Sequence, residues 1–591
     1  RGMNLAIIGD NRPRLYWSFA AAQCLGGVPV PMYQDAVAQE MLFVLENAEI
    51  EYAIVEDQEQ VDKLIEILSQ YPNLKHIIYD DPRGLRNYTQ PQLMSYDRLR
   101  EIGHEFDRRD PGFFERAIGD VRAADVCVML YTSGTTGKPK GVCHTHAGFI
   151  AAARGDVEFD GFNPSDEILS YLPMAWVGDH LFSYAQAMVA GFTVNCPESP
   201  ETVMTDLREI GPTYYFAPPR VFENLLTTVM IRIDDAGRIK RHLFHYFMGV
   251  ARRCGAQIMD GKPVSLSDRL LYWLGDLLIY GPLRNVLGMS RIRVAYTGGA
   301  AIGPDLYRFY RSIGINLKQL YGQTETSVYV CKQPTGAAKL DSVGRPLPGV
   351  EIKIADNGEV LVKTPGMLKE YYKRPDATEE SISPDGYFLT GDAGFLDADG
   401  DLKIIDRAKD VGKFADGSLF APQFLENKLK FFPYIKEAVC FGDKCQMACA
   451  FVNIDIQAVG NWAEKRNLPY SGYIDLAGKP EVYGLIQQCV EQVNADLAKE
   501  PHLAGSQIHR FLVLHKELDP DEDELTRTRK VRRSFVAQKY AVLVDALYGG
   551  KTSQFIRTQV KFEDGRTGNI EADVKIRDAA TYPAAAQRVS A

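Results

Sequence analysis

An α/β fold of two or more domains is predicted from three observations. The 591 residues exceed what one hydrophobic core usually serves, so one large domain and at least one smaller one are expected. The first eighty residues alternate short apolar runs with helical periods, and strands alternate with helices again near the C-terminus. From Leu5 the order is LAIIGDN as a strand and turn, LYWSFAAAQCLGG as a helix closed by glycines, and then VPVPMY. A helix near Glu40 to Asn47, the strand YAIVED, a helix from Gln58 to Ser69 and the strand HIIYDD follow. This βαβ rhythm predicts a mostly parallel sheet with helices on both faces. Residues 83–120 are polar and loosely patterned and read as a surface connection. Because a strand begins almost at Arg1, a segment upstream of it is expected.

Charged residues make up 24% and hydrophobic residues 46%, as in ordinary globular proteins. The net charge of -10 argues against a general nucleic-acid or anionic-membrane binder, while leaving room for local basic patches. Ten cysteines occur with no CxxC pair, so neither a zinc site nor a disulfide framework is indicated, and a reducing cytoplasmic location fits. No apolar run approaches the roughly 20 residues of a membrane span, and the start lacks the apolar core of a signal peptide.

The most informative stretch is VCVMLYTSGTTGKPKG, from Val126 to Gly141. A β-prone run ends abruptly in small, hydroxyl-bearing residues and two lysines, which reads as a strand feeding a phosphate-binding loop. Gly134 and Gly137 let backbone N–H groups converge on an anion, Thr132, Ser133, Thr135 and Thr136 add hydroxyl donors, and Lys138 and Lys140 add positive charge. The spacing is not that of a P-loop, which needs four residues between its glycine and its Gly-Lys-Ser/Thr. A plain Ser/Thr/Gly surface loop is the alternative for a fragment such as SGTTG alone, but a longer specific run directly after a strand argues against it.

YTSGTTGKPKG resembles the signature of the adenylate-forming superfamily, which contains acyl-CoA synthetases, adenylation domains of peptide synthetases, and luciferases. The resemblance implies ATP bound while a carboxylate attacks its α-phosphate, giving an acyl-adenylate and pyrophosphate. Taken in order, the rest of the chain carries further matches. HTHAGFIAAARG reads as a helix, and YLPMAWVGDHLFSYAQAMVAGFTVNC as a strand end, a helix and a strand. The resemblance implies that Trp176, with His180 nearby, shapes the acyl pocket; a Trp on an apolar segment is also an ordinary core residue. PTYYFAPPRVFE resembles a segment of long-chain acyl-CoA synthetases, and the helical insertion from about Thr227 to Ser290 is shared with long-chain and related ligases. Its aromatic and arginine-bearing helices also permit a weak peripheral membrane contact, against the simpler reading of packing on their own domain.

RIRVAYTGGAAI ends a strand in Gly298, Gly299 and Ala300, a small-residue edge against which a flat base can lie, with Gly299 also facing the substrate pocket. INLKQLYGQTETS supplies Tyr321, Gly322, Gln323, Thr324 and Glu325. The resemblance implies that Tyr321 stacks on adenine, Thr324 contacts phosphate, and Glu325, with Thr132, holds Mg²⁺, a hard cation that takes oxygen ligands. VGRPLPGVEIKI opens a small β-rich subdomain, with turns at Asp385-Gly386 and Asp397 to Asp401. Asp392 and Arg407 resemble the family's ribose-binding pair. A carboxylate can accept from two vicinal hydroxyls at once, which suits an aspartate to that role.

Asp406 falls at the family's hinge between a large and a small mobile domain, so residues 1–405 are expected to form the adenylation domain and 406–548 the small α/β domain. RAKDVGKFADGSLFAPQFLEN resembles the long-chain pattern that lines the CoA channel, with Gly417 retained and Asp416 in place of a glycine. ELTRTRKVRRSFV resembles the segment that carries the catalytic lysine, which puts that role on Lys530; alone, it is a basic cluster. Residues 549–591 form an extension with a hairpin signal at Asp564-Gly565, suited to covering a sheet edge or to self-association as a homodimer. The function implied is an AMP-forming ligase that joins a medium- or long-chain carboxylic acid to coenzyme A. A fatty acyl-AMP ligase serving a carrier protein, and a ligase for aryl or branched acids, are the alternatives. ATP and Mg²⁺ are the implied cofactors.

Overall fold

The β-prone runs of the N-terminal third form the parallel sheet that their alternation predicts. In the computed structural model, which describes residues 2–132, 139–299, 302–408, 411–499, 503–519, 522, 524–525, 531–561 and 567–583, five parallel strands lie side by side. Their spatial order is Val28–Met32, Asn4–Ile8, Tyr52–Val55, His76–Tyr79 and Leu93–Ser95. The helices Pro13–Cys24, Ala38–Asn47 and Gln58–Ile67 make the crossovers that parallel pairing requires. Residues 83–120 are more than a connection. They hold the fifth strand and the helices Tyr96–Arg109 and Phe113–Gly119, with Ser95 accepting from the backbone N–H of Arg98 as a cap. The polar face of these helices hid their period.

A second sheet has seven strands. Five parallel strands, Leu317–Tyr321, Val294–Thr297, Tyr214–Phe216, Glu167–Leu169 and Thr193–Asn195, are flanked on one side by antiparallel Cys331–Lys332 and Arg345–Pro346. Behind it lies the helix His146–Asp160. Buried Lys332 reaches Asp156 at 2.8 Å and Lys318 reaches Asp160 at 2.7 Å, so each desolvated charge has an opposite partner. The two sheets are joined by a buried polar knot. Asn11 Nδ2, Tyr16 OH and Ser170 Oγ all donate to Asp179, at 3.1, 2.8 and 3.0 Å, and burial pushes its carboxyl up to about 7.

The β-rich subdomain is a four-stranded antiparallel sheet, Glu351–Ile354, Glu359–Lys363, Phe388–Leu396 and Leu402–Arg407. Beyond it, Ile435–Phe441, Ala448–Ile454 and Ile508–Val513 form a further sheet around the helix Pro480–Leu497. The C-terminal strands Ser553–Lys561 and Thr567–Asp578 pair as the hairpin that the sequence signals. Leu512 pairs with Ile576, so the hairpin extends this same sheet, while its turn lies outside the described residues. It covers the edge of the strand Ile508–Val513, one of the two roles open to it.

Candidate active site

The strand Val126–Thr132 forms because Val128, Met129 and Leu130 are buried, and it pairs antiparallel with Lys140–Thr145, with Thr132 opposite Lys140. Ser133, Gly134, Thr135, Thr136, Gly137 and Lys138 lie outside the described residues. Lys140 Nζ sits 4.7 Å from the centre of the Tyr371 ring, a cation–π contact, and Tyr371 OH donates to Glu325 Oε1 at 2.9 Å. Tyr371 is held on the short strand Glu370–Tyr371, which pairs with Lys140–Thr145. Sheet pairing therefore brings Thr132, Lys140, Tyr371 and Glu325 to one wall.

Glu325 belongs to a tight turn, Thr324–Thr326, closed by reciprocal hydrogen bonds between Gln323 and Thr326. Gly322 lets this turn close, since a Cβ there would meet the backbone of Val328 at 2.4 Å. The turn is braced from below by His144, whose Nε2 lies 2.8 Å from the carbonyl oxygen of Thr324 and whose Nδ1 lies 3.2 Å from Ser327 Oγ. Burial lowers the His144 pKa to about 4, so the ring is neutral and its Nε2–H donates to the carbonyl. Neither His144 nor Tyr371 stands out in the sequence. Strand alternation through GVCHT marks His144 only as inward-facing.

Asp392 forms the second wall. It stands opposite Arg407 in the strand pair, and Arg407 meets its Oδ1 at 2.9 Å, while Tyr321 OH and Gln323 Nε2 donate to Oδ2 at 2.7 and 2.6 Å. Tyr321 is thus tethered by its hydroxyl, whose pKa burial, and then the Asp392 charge, raise well above the ordinary value. At the end of Val294–Thr297, Gly299 takes φ +81°, and a Cβ on Gly298 would meet Leu320 at 2.7 Å, so a small-residue edge is kept there. Ala300 lies outside the described residues.

Trp176 is half-buried against Phe216, with ring centres 5.5 Å apart. His180 is fully buried among Phe149, Tyr184 and Phe19, at 4.8, 5.0 and 5.3 Å. Burial, assisted by nearby His144, lowers the His180 pKa to about 3. The unfolded chain, with an imidazole near 6.5, therefore binds more protons than the folded one between about pH 3 and 6.5, and stability falls as pH drops through that window. His180→Phe is expected to flatten this slope, retaining on the order of 3 kcal/mol more stability than the parent at pH 4 relative to pH 7. Denaturant melts at the two pH values test this, and an unchanged slope would show that the ring titrates freely.

On the C-terminal side, Asp406 is buried and accepts from the N–H of Arg407 at 2.7 Å and of Gln423 at 2.6 Å, tying a strand end to the helix Pro422–Lys430. Asp416 turns back on its own loop, accepting from Ser418 N at 2.9 Å and Oγ at 2.6 Å, and Gly417 follows at φ +84°. Lys530 and its neighbours 526–529 lie outside the described residues, but both flanks are fixed. Glu524 is fully buried between Lys516 at 2.9 Å, Lys539 at 2.7 Å and Tyr540 OH at 2.6 Å. Arg533 pairs with both oxygens of buried Glu426, the nearer at 2.8 Å.

Residues 1–372, which include the first wall, match the family of AMP-binding enzymes. The chain belongs to the AMP-binding enzyme family. Among its curated relatives is a long-chain-fatty-acid–CoA ligase, FadD15 of Mycobacterium bovis, 31% identical over 531 residues, covering 89% of this chain and 85% of that protein. Long chain acyl-CoA synthetase 7, peroxisomal, of Arabidopsis thaliana is 27% identical, covering 91% and 77%. These relatives put this AMP-binding enzyme on the acyl-CoA synthetase branch. In fold it is similar to the anthranilate CoA ligase AuaEII in complex with anthranoyl-AMP, with TM-score 0.61, 18% identity, and coverage of 92% and 89%.

A divalent cation fits the first wall. Glu325 Oε1 is engaged by Tyr371, its Oε2 has no protein partner among the described residues, and Mg²⁺ is commonly held by one or two carboxylates together with substrate phosphates. Among the described residues no group of three or more His, Cys, Asp or Glu stands ready to hold a metal.

Proposed function

We propose that this AMP-binding enzyme activates a medium- or long-chain carboxylic acid with ATP to an acyl-adenylate and then transfers the acyl group to coenzyme A. The observation that carries the reading is the pairing of the two walls through one short loop. Four steps of chain separate Tyr321 from Glu325, at most about 14 Å, so one nucleoside triphosphate can meet Asp392 with its ribose and Glu325 with its phosphates. Thr132, Lys140 and residues 133–138 between them are assigned to the phosphates, and Gly298, Gly299 and Tyr321 to the base. Glu325 would hold a Mg²⁺ ion, which would supply charge neutralisation at the phosphates. The acid's carboxylate oxygen bonds to the α-phosphorus as the bond to the pyrophosphate breaks. No general base is needed, since a carboxylate is already ionised at neutral pH. In the second step the CoA sulfur bonds to the acyl carbon, AMP departs with the phosphate oxygen, and the thiol proton leaves to solvent.

A cavity of about 470 Å³ supports a long acid. Its walls include Tyr215, Val221, Leu225 and Val229, and Tyr171 there donates to the carbonyl of Phe216, the residue against which Trp176 packs. Free CoA as acceptor is supported by Asp416, whose carboxylate is spent on its own turn, and by Lys413 and Lys444, which outnumber Asp443 in the adjoining cleft and can meet anionic phosphates. We assign Asp406 to the pivot between residues 1–405 and the small domain.

Pyrophosphate release over a panel of carboxylic acids, with and without CoA and with products identified by mass, tests the proposal. Acyl-CoA that peaks with medium to long chains is expected. Adenylate that accumulates while CoA is ignored would move the assignment to a carrier-protein ligase, and preference for benzoate-like acids would move it to an aryl ligase.

A further inference from the structure

The turn that carries Glu325 holds its backbone where L-residues rarely go. Ser327 takes φ +51° and Val328 φ +57°, and among the described residues this is the one place where two non-glycine residues in succession lie in the left-handed region. For a β-branched valine that setting is a genuine outlier, so the turn is strained and persists because its surroundings hold it. Three sets of contacts do so. Inside the turn, the N–H groups of Thr326 and Val328 donate to the Gln323 carbonyl at 3.1 and 3.0 Å. From the segment that leads to Tyr371, Leu368 N donates to the Glu325 carbonyl at 2.7 Å, and the Gly366 carbonyl accepts from Ser327 Oγ at 2.9 Å. From the strand Lys140–Thr145, buried His144 sets Nε2 at the Thr324 carbonyl and Nδ1 beside Ser327 Oγ, so a single ring brackets Glu325 from both sides in sequence.

We infer that His144 is a positioning residue for the phosphate site: it holds the strained turn in the setting that presents Glu325 to the phosphates of ATP. The inference rests on the reading of Glu325 as the carboxylate that meets those phosphates together with a cation. The strand that carries His144 also carries Lys140, four residues earlier, and Thr132 stands opposite Lys140. One rigid element thus fixes the basic side of the site and, through the ring, its acidic side. Without the ring, the Thr324 carbonyl retains the N–H of Ser327 at 3.1 Å, and the left-handed pair is free to relax. Packing alone does not account for an imidazole here. Phe149 meets the ring edge-on at 5.2 Å, a contact that an apolar side chain of similar bulk would serve, but both polar contacts would then be lost where burial makes an unpaired group costly. Nor does a base fit, since the ring is shielded from solvent and its Nε2 proton is committed to a carbonyl.

The test compares His144→Leu, which keeps the bulk and loses both polar contacts, with His144→Gln, whose side-chain amide can still donate to the Thr324 carbonyl. Two readouts independent of turnover are taken on the full chain without acid or CoA: calorimetric binding of ATP with and without Mg²⁺, and amide hydrogen exchange across residues 322–328. His144→Leu is expected to bind ATP with Mg²⁺ roughly tenfold more weakly, the scale of one lost hydrogen bond, to bind ATP without the metal as the parent does, and to exchange faster in the turn than elsewhere. His144→Gln is expected to restore most of both. Should His144→Leu fail to fold, Ser327→Ala, which removes the other end of the clamp, carries the same expectation. Unchanged binding and exchange in the folded variants, equal weakening with and without Mg²⁺, or equal loss in His144→Leu and His144→Gln would each overturn the inference. Metal-dependent weakening in a protein that activates no acid would sink the ligase reading and leave the positioning role standing.

Discussion

Lys530→Ala is expected to lower acyl-adenylate formation by about 10² to 10³, the scale for removing one preorganised donor from developing charge, while thioester formation from supplied acyl-adenylate stays within a few-fold of the parent. Glu524 is held by Lys516, Lys539 and Tyr540, and Arg533 by Glu426, so the chain is anchored on both sides of residues 526–530. On the proposed assignment, Lys530 would move with these flanks. If the domain turns about Asp406 between steps, the lysine serves the first reaction and is withdrawn for the second. Stopped-flow measurement of both half-reactions decides the matter: equal loss in the two would remove domain alternation from the mechanism.

Glu325→Gln is the second large expectation, with adenylation reduced by about 10² or more and the Mg²⁺ concentration needed for half-maximal rate moved upward. The amide keeps the shape and still accepts from Tyr371, so the change isolates the negative charge. Tyr371→Phe separates charge from position. It removes the hydroxyl that fixes Glu325 Oε1 and leaves the ring under Lys140, and a loss of roughly tenfold is expected, of the size of one hydrogen bond to a charged group. A Mg²⁺ titration of initial rates distinguishes the two variants. An unchanged Mg²⁺ dependence in Glu325→Gln would free Glu325 of any metal role.

Much of this protein is legible from its residues in order. The loop after Val126, the glycines at 298 and 299, the run Tyr321 to Glu325 and the pair Asp392 and Arg407 are each local in sequence, and the β-rich and helical stretches announce themselves through period two and period 3.6. Asp392 and Arg407 meet because a tight turn folds one strand back on the other, a distance that a hairpin fixes almost unaided.

What the sequence leaves undecided depends on partners far along the chain. Tyr371 reaches Glu325 across 46 residues and His144 reaches Thr324 across 180, and no local pattern reports a neighbour that only sheet pairing delivers. His180 looks like a pocket residue beside Trp176, yet Phe19 and Phe149 from two distant segments, with Tyr184 one turn along its own helix, enclose it and make it a neutral core ring. The helices of the insertion show the same limit in reverse. Their periodicity announces an apolar face, but whether that face is covered is settled by the rest of the fold, and for Leu266, Leu270, Trp273 and Leu277 none of the described residues covers it. Sequence thus determined which chemistry is carried and in what order, since those signals are set by covalent neighbours. Tertiary structure alone decided which groups are buried, braced or exposed, because burial is a property of contacts between segments that the chain order does not encode.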